Sequence, residues 1–219
     1  MSRYIFVDIE TLPAADPLTV PLPRAPRTYK DPEKIAAYVA EHSRTAYRDT
    51  ALNPLLGRVL CIGVALDEGA PVVIYAVDAN GQPDERMMLE QLAEVVGDER
   101  SIWVGHNLAA FDLRWLYYRA RKYGLPFADS IPWDKWDKRV EDTMDLAMGP
   151  NPRGDMQSLS ALAEYFGIGP GKLGMDGSMV YDAWLDGRVA EILAYCAHDV
   201  WMTREVHRAL RFEIGRAHV

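Results

Sequence analysis

The sequence predicts an α/β fold, a mixed central sheet with helices on its faces, and three observations carry that expectation. Strand-like and helical segments alternate along the chain after an initial set of strands that read as antiparallel. The helical segments stop at glycines, as helices do when their last turn closes in a left-handed residue. The length of 219 residues, with 49% hydrophobic and 26% charged residues, suits one domain with a sizeable core over residues 1–219.

Residues 3–9 form an apolar, β-rich run that ends in acids and read as the first strand. Residues 14–54 are rich in proline and charge and read as an insertion. Residues 59–66 and 72–76, separated by Gly69-Ala70-Pro71, read as a hairpin. In residues 85–96, Met88, Leu89, Leu92, Val95 and Val96 follow a helical period that Gly97 closes. Residues 101–105 read as a short buried strand, and residues 109–123 as a helix stopped by Gly124. Residues 139–146 are a weak strand or a helix entry. Residues 158–166 read as a helix capped by Ser158 and closed by Gly167, and residues 188–212 as a long final helix.

Composition excludes several classes. No run approaches the roughly 18 to 20 uncharged apolar residues of a membrane span, and Asp8 interrupts the apolar start, so neither a span nor a signal peptide is expected. Cys61 and Cys196 are too few for a disulfide framework or a cysteine-rich zinc site, which suits a cytoplasmic location. A formal net charge of −8 argues against broad, nonspecific nucleic-acid binding. It leaves room for a local site whose carboxylates hold cations.

Three short segments carry chemistry. Asp8 and Glu10 stand two apart at a strand end and share one face, where two uncompensated acids repel and call for a cation. In isolation the pair reads equally as a polar strand end. Residues 107–112 pass from a buried strand into a helix and place Asp112 in its first turn; alone, such an acid serves as a dipole partner. Tyr195 and Asp199 are four apart on one helical face and can reach the same point.

Together the three segments resemble the DEDD superfamily of 3′-to-5′ exonucleases on the ribonuclease H-like fold, with all three motifs in family order. Tyr195, four residues before Asp199, points to the DEDDy subgroup; Ala194 stands where the DEDDh subgroup would have histidine. The resemblance runs from residue 3 to about residue 210, with 14–54 unmatched, and is closest to stand-alone predicted exonucleases related to the proofreading domain of family B DNA polymerases.

The resemblance implies two divalent cations, Mg²⁺ or Mn²⁺, held by Asp8, Glu10, Asp112 and Asp199, with Tyr195 orienting the attacking water. It implies a DNA substrate, single-stranded, cut from the 3′ end to 5′-mononucleotides, and a replication or repair partner. Thr11, Leu12, Asn107 and Phe111 would contact the substrate, Leu12 as a wedge or else as core. A ribonuclease D-type exoribonuclease and a noncatalytic nucleic-acid or polymerase-binding module are the alternatives.

Weaker signals have plain readings beside the functional ones. His106 and His198 read as packing residues, and Asp142 as a cap. Trp133 and Trp136 could stack bases or pack a loop. Residues 24–48 carry a net charge of +3 against −11 for the rest, so they could clamp a strand or form a charged helix covering the sheet.

Overall fold

The computed structural model describes residues 3–97, 101–149, 156–169 and 174–211. Five strands, β1 (Tyr4–Leu12), β2 (Arg58–Leu66), β3 (Val72–Ile74), β4 (Ile102–Gly105) and β5 (Val140–Asp142), form one sheet in the order β3-β2-β1-β4-β5. The β1–β2 and β2–β3 pairs are antiparallel, and β1–β4 and β4–β5 are parallel. This is the mixed α/β sheet that the sequence predicts.

The helices are α1 (Pro32–Arg48), α2 (Glu85–Val96), α3 (Asp112–Lys122), α4 (Thr143–Met148), α5 (Leu159–Phe166), α6 (Val180–Leu185) and α7 (Val189–Leu210). Both residues 85–96 and the cap at Ser158 fall where the sequence puts them, the Ser158 side chain accepting from the Ala161 N–H. Residues 139–146 resolve into both readings, β5 followed by α4. Asp142 caps α4 by accepting from the Met144 N–H. Phe212, the expected end of the last helix, lies outside the described residues. Among the described residues no helix is long and apolar enough to cross a membrane.

Alternation along β1 divides the core. Ile5, Val7 and Ile9 pack toward Met88, Leu89 and Leu92 of α2 and Leu113 and Leu116 of α3, all buried. Each such side chain contributes about 1.5 to 3 kcal/mol through burial. Phe6 and Leu12 belong to the other face, where Ile192, Cys196 and Val200 of α7 and Ala183 of α6 cover the sheet. Strand geometry therefore puts Asp8 and Glu10 in the row under α7.

Gly63, opposite Asp8 in the β1–β2 register, allows α7 to lie this close. A Cβ there would stand 2.7 Å from Val200 Cγ2 and 2.8 Å from Cys196 Sγ.

On the opposite side of the sheet the Arg119 guanidinium pairs with the Glu85 carboxylate, both buried. Glu85 also accepts from the Val59 N–H at 2.8 Å and the Tyr123 hydroxyl at 2.9 Å. One carboxylate thus ties α2 to β2 and α3. Burial, with the Glu85 charge second, pushes the Tyr123 hydroxyl up to about 12.

The insertion is helical, but it does not cover the sheet. None of the 17 residues of α1 is buried, which corrects the covering-helix alternative. The helix is held mainly through its C-terminal end, where the Tyr47 hydroxyl donates to Ala14 O at 3.0 Å and Arg48 pairs with Asp182.

Candidate active site

Three elements bring the predicted residues to one cavity of about 210 Å³, with Asp8, Glu10, Asp112, Tyr195 and Asp199 in its walls. β1 extends beyond its pairing with β4, which covers only Tyr4 to Phe6. The free edge leaves the Ile9 N–H available, and Asp112 Oδ1 accepts it at 3.1 Å. That bond fixes the start of α3 against the strand carrying the other acids. Just after Glu10 the β1–β2 register slips, Glu10 facing Cys61 and Thr11 facing Val59, so Leu60 is the extra residue of a bulge in β2 where β1 leaves the acids.

The electrostatics are unfavourable in the absence of a cation. Burial first, then the charges of Glu10, Asp112 and Asp199, hold the Asp8 carboxyl well above the usual carboxylate range. Burial likewise raises Glu10, with Cys61 and Asp199 adding to it. Asp112 is raised by burial, against the opposing pull of backbone N–H groups, its own and that of Ile9. Asp8 Oδ2 is shut off from solvent and meets no hydrogen-bond donor. A buried carboxylate oxygen without a donor is costly and suits a cation. Asp8, Glu10 and Cys196 can each bring one ligand atom within 4.8 Å of the others.

Tyr195 donates its hydroxyl to the Asp199 carboxylate, and burial together with the Asp199 and Glu10 charges raises its pKa far above the ordinary value. The phenol is therefore neutral and serves as a hydrogen-bonding group.

Of the expected substrate-binding residues, Thr11, Asn107 and Phe111 lie in the cavity wall. Thr11 Oγ1 donates to Ala51 O at 2.6 Å and ties the insertion to β1. Asn107 takes a positive φ of 61°, which asparagine tolerates better than most residues, and its N–H donates to Asp142 Oδ1 at 2.9 Å. Leu12 requires a correction. It is 0% exposed and packs with Leu60, Met175 and Val180, because α6 and α7 cover this end of the face that it shares with Asp8 and Glu10. It is core and not a wedge.

The cavity also takes walls that the sequence did not single out for the site, Leu52 and Gly177. Leu52 is 68% exposed although apolar, at the end of the 3-10 turn Asp49–Leu52. His106 lines the cavity too, with Thr143 Oγ1 at 2.9 Å from Nδ1 and Gln157 O at 3.0 Å from Nε2, as a packing histidine would be held. His198 stacks on Trp201 and is not in the wall. Neither Trp133, which stacks on Tyr117, nor Trp136 is in the wall.

Residues 51–219 match the family model described as a predicted 3′-5′ exonuclease related to the exonuclease domain of PolB. The chain belongs to this family. Asp112, Tyr195 and Asp199 lie within the matched residues, whereas Asp8 and Glu10 precede them. The fold is similar to that of the family B DNA polymerase from the hyperthermophilic archaeon Pyrobaculum calidifontis, with a TM-score of 0.63 and 17% identity over 96% of this chain. The chain spans 24% of that polymerase. No curated protein matches the sequence. Membership accords with the carboxylates that β1, α3 and α7 bring to one cavity.

Proposed function

We propose that residues 1–219 act as one metal-dependent 3′-5′ exonuclease domain that removes nucleotides from the 3′ end of single-stranded DNA and releases 5′-mononucleotides. The observation that carries this reading is the convergence of Asp8, Glu10, Asp112 and Asp199 in one cavity, with Asp8 Oδ2 buried and without a donor. Hard oxygen ligands of this kind suit Mg²⁺ or Mn²⁺, and these four carboxylates would hold two such ions. When bound, the cations supply the charge that phosphodiester hydrolysis needs at the attacking water and the departing oxygen. DNA, as a single strand, is favoured by the relationship of the family to the exonuclease domain of PolB.

The chain's own groups have separate tasks. Tyr195 fixes the Asp199 carboxylate and presents its hydroxyl oxygen to a water. Asn107 and Phe111, also in the cavity wall, would contact the strand. Removing the Tyr195 hydroxyl in Tyr195→Phe should lower kcat by about 10²-fold while leaving Mn²⁺ binding intact. Equal kcat across pH for the two proteins would reduce Tyr195 to packing.

The exposed cations Arg24, Arg27, Lys30 and Lys34 lead into and begin α1; Lys30 and Lys34 line a groove of about 590 Å³ together with Tyr29, Tyr38, Asp31 and Glu41. We assign this arm to the phosphate backbone of the incoming strand. Neutralising the four together should reduce the slope of log affinity against log salt by up to about 0.7 for each phosphate that the arm pairs with. An unchanged slope would remove the arm from binding.

The function itself is tested with 5′-labelled single-stranded DNA, duplex DNA and RNA of one sequence, incubated with Mn²⁺ and resolved as ladders. Stepwise shortening of single-stranded DNA is the expected result. Faster shortening of RNA would make the enzyme an exoribonuclease, and no shortening of any substrate would favour a noncatalytic module.

A further inference from the structure

The groove on α1 has a lining that phosphate contacts alone leave unexplained. Lys34, Ala37, Tyr38 and Glu41 follow the spacing i, i+3, i+4, i+7 and form one face of the helix. Thr28, Tyr29, Lys30 and Asp31, from the chain leading into the helix, complete the wall. All of these residues precede 51–219, the part that the family model matches, so the groove belongs to the insertion.

Two aromatic rings stand in this wall. The Tyr38 ring lies flat against His42, with 3.9 Å between centroids and 16° between planes. The Tyr29 ring meets Tyr38 edge-on at 6.0 Å, and the Tyr29 N–H donates to Pro26 O at 2.9 Å. Both rings are thus positioned before any ligand arrives. Tyr29 is nevertheless 40% exposed and no residue of α1 is buried, so packing in a core does not account for them. Among the charges of the wall, Asp31 caps the helix by accepting the Glu33 N–H at 2.9 Å. Lys30 and Lys34 then outnumber Glu41, on a stretch that carries +3 in a chain of net charge −8. Aromatic faces beside cations are the equipment with which proteins hold single strands without regard to sequence.

The groove is continuous with the acidic cavity. α1 runs into the turn Asp49–Leu52, which the Thr11 bond to Ala51 ties to β1, and Leu52 is in the cavity wall. At 1.5 Å per residue, Glu41 and Lys34 stand about 10 and about 20 Å from Arg48 along the helix.

We infer that this groove is a second binding site for the strand, several nucleotides upstream of the bond to be cut, where Tyr29 and Tyr38 stack bases and Lys30 and Lys34 meet phosphates. The inference rests on the exonuclease reading of the acids and adds a consequence to it. A strand that reaches from cavity to groove is held at two places, and one shortened below that span is held at the cavity alone. The enzyme therefore favours long strands and leaves short oligonucleotides, which a nuclease acting on short oligonucleotides must consume.

Binding is measured first in EDTA, by fluorescence anisotropy of single-stranded DNA of about 20 and of about 3 nucleotides, above and below the span of about 4 to 16 that one single-strand groove covers. The wild type should hold the long strand about tenfold more tightly or more, the scale of one stacked base. Tyr29→Ala, at an exposed position, and Tyr38→Leu, which keeps a good helix former, should each shrink that advantage to less than about threefold with an unchanged melting temperature. The slope of log affinity against log salt should stay as in wild type, because stacking neutralises no phosphate. With Mn²⁺ the wild type should shorten the long strand quickly and then stall at short remnants, and both variants should be slower on the long strand. Equal affinity of the wild type for both lengths, an undiminished advantage in both variants, or a lowered salt slope in the variants would overturn the stacking groove. Cleavage by the wild type alongside any of these results would leave the exonuclease reading in place. A protein that cuts nothing yet prefers the long strand, with the preference lost in both variants, fails as an exonuclease and keeps the groove.

Discussion

Asp8→Asn should abolish phosphodiester cleavage, with a loss of about 10³-fold or more, and at the same time make the metal-free protein more stable. The activity loss follows from charge. An amide of the same shape brings no negative charge and holds a divalent cation far more weakly than a carboxylate, and cation stabilisation of the transition state is worth several kcal/mol, each 1.36 kcal/mol being tenfold in rate. The stability gain follows from burial and like charge, which hold Asp8 well above the ordinary carboxylate range beside Glu10, Asp112 and Asp199. Because its folded pKa is raised, native Asp8 binds a proton at pH values where the unfolded chain has released it. Stability from this group is therefore present at the acid end and is lost as pH rises through the window above about 4. In EDTA at pH 7.5 the Asn variant should melt above wild type, and the difference should shrink toward pH 5. Added Mn²⁺ should raise the wild-type melting temperature more than the variant's, since only ligands bound to the native state stabilise it. Full activity in Asp8→Asn, or a variant that melts below wild type in EDTA at pH 7.5, would show that Asp8 serves a structural network.

The second large effect lies on the far side of the sheet and concerns stability alone. Glu85→Ala should cost about 3 to 5 kcal/mol, because it leaves the Arg119 guanidinium buried without its counter-charge. The Val59 N–H and the Tyr123 hydroxyl lose their acceptor as well. At about 2 to 4 °C per kcal/mol for a chain of this size, the melting temperature should fall by about 6 to 20 °C. The double variant Glu85→Leu with Arg119→Met should recover more than half of that loss, since replacing both charges removes the desolvation cost together with the attraction. Thermal melts of the three proteins decide the matter. A single variant within about 1 kcal/mol of wild type would mean that water reaches the pair.

Patterns with a short period were legible in the sequence. Met88, Leu89 and Leu92 announced α2, and Ser158 and Gly167 marked both ends of α5. The three acidic segments were legible for the same reason, because residues two apart on a strand or four apart on a helix share a face whatever surrounds them. What such periods cannot show is how elements pack against one another. Leu12 follows the acids in the chain and looked available to a substrate; only the position of α6 and α7 decides that it is core. Leu52 sits in a polar, proline-rich stretch without periodicity, and its place beside the acids depends on the Thr11 bond to Ala51, which joins residues 40 apart in sequence. The six-residue α6 is too short to build a periodic signal. Glu85 reads in sequence as an ordinary first-turn acid, and its partner Arg119 lies 34 residues away.

The missing side chain at Gly63 sets the site's one adjustable dimension. Asp8 and Glu10 ride on the sheet, and Asp112 is tethered to the same strand through the Ile9 N–H. Tyr195 and Asp199 ride on α7, whose approach to β2 is so close that a Cβ at Gly63 would stand 2.7 Å from Val200. The site is thus two half-sites on separate carriers, and the clearance between them is calibrated, where helix meets sheet, by the absence of one methyl group. A larger residue there would leave all five cavity residues in place along the chain while moving one carrier relative to the other. Any such shift would widen the gap across which, on the proposed reading, the two sets of carboxylates share cations, so the spacing between helix and sheet would tune the reaction from a position outside the cavity wall.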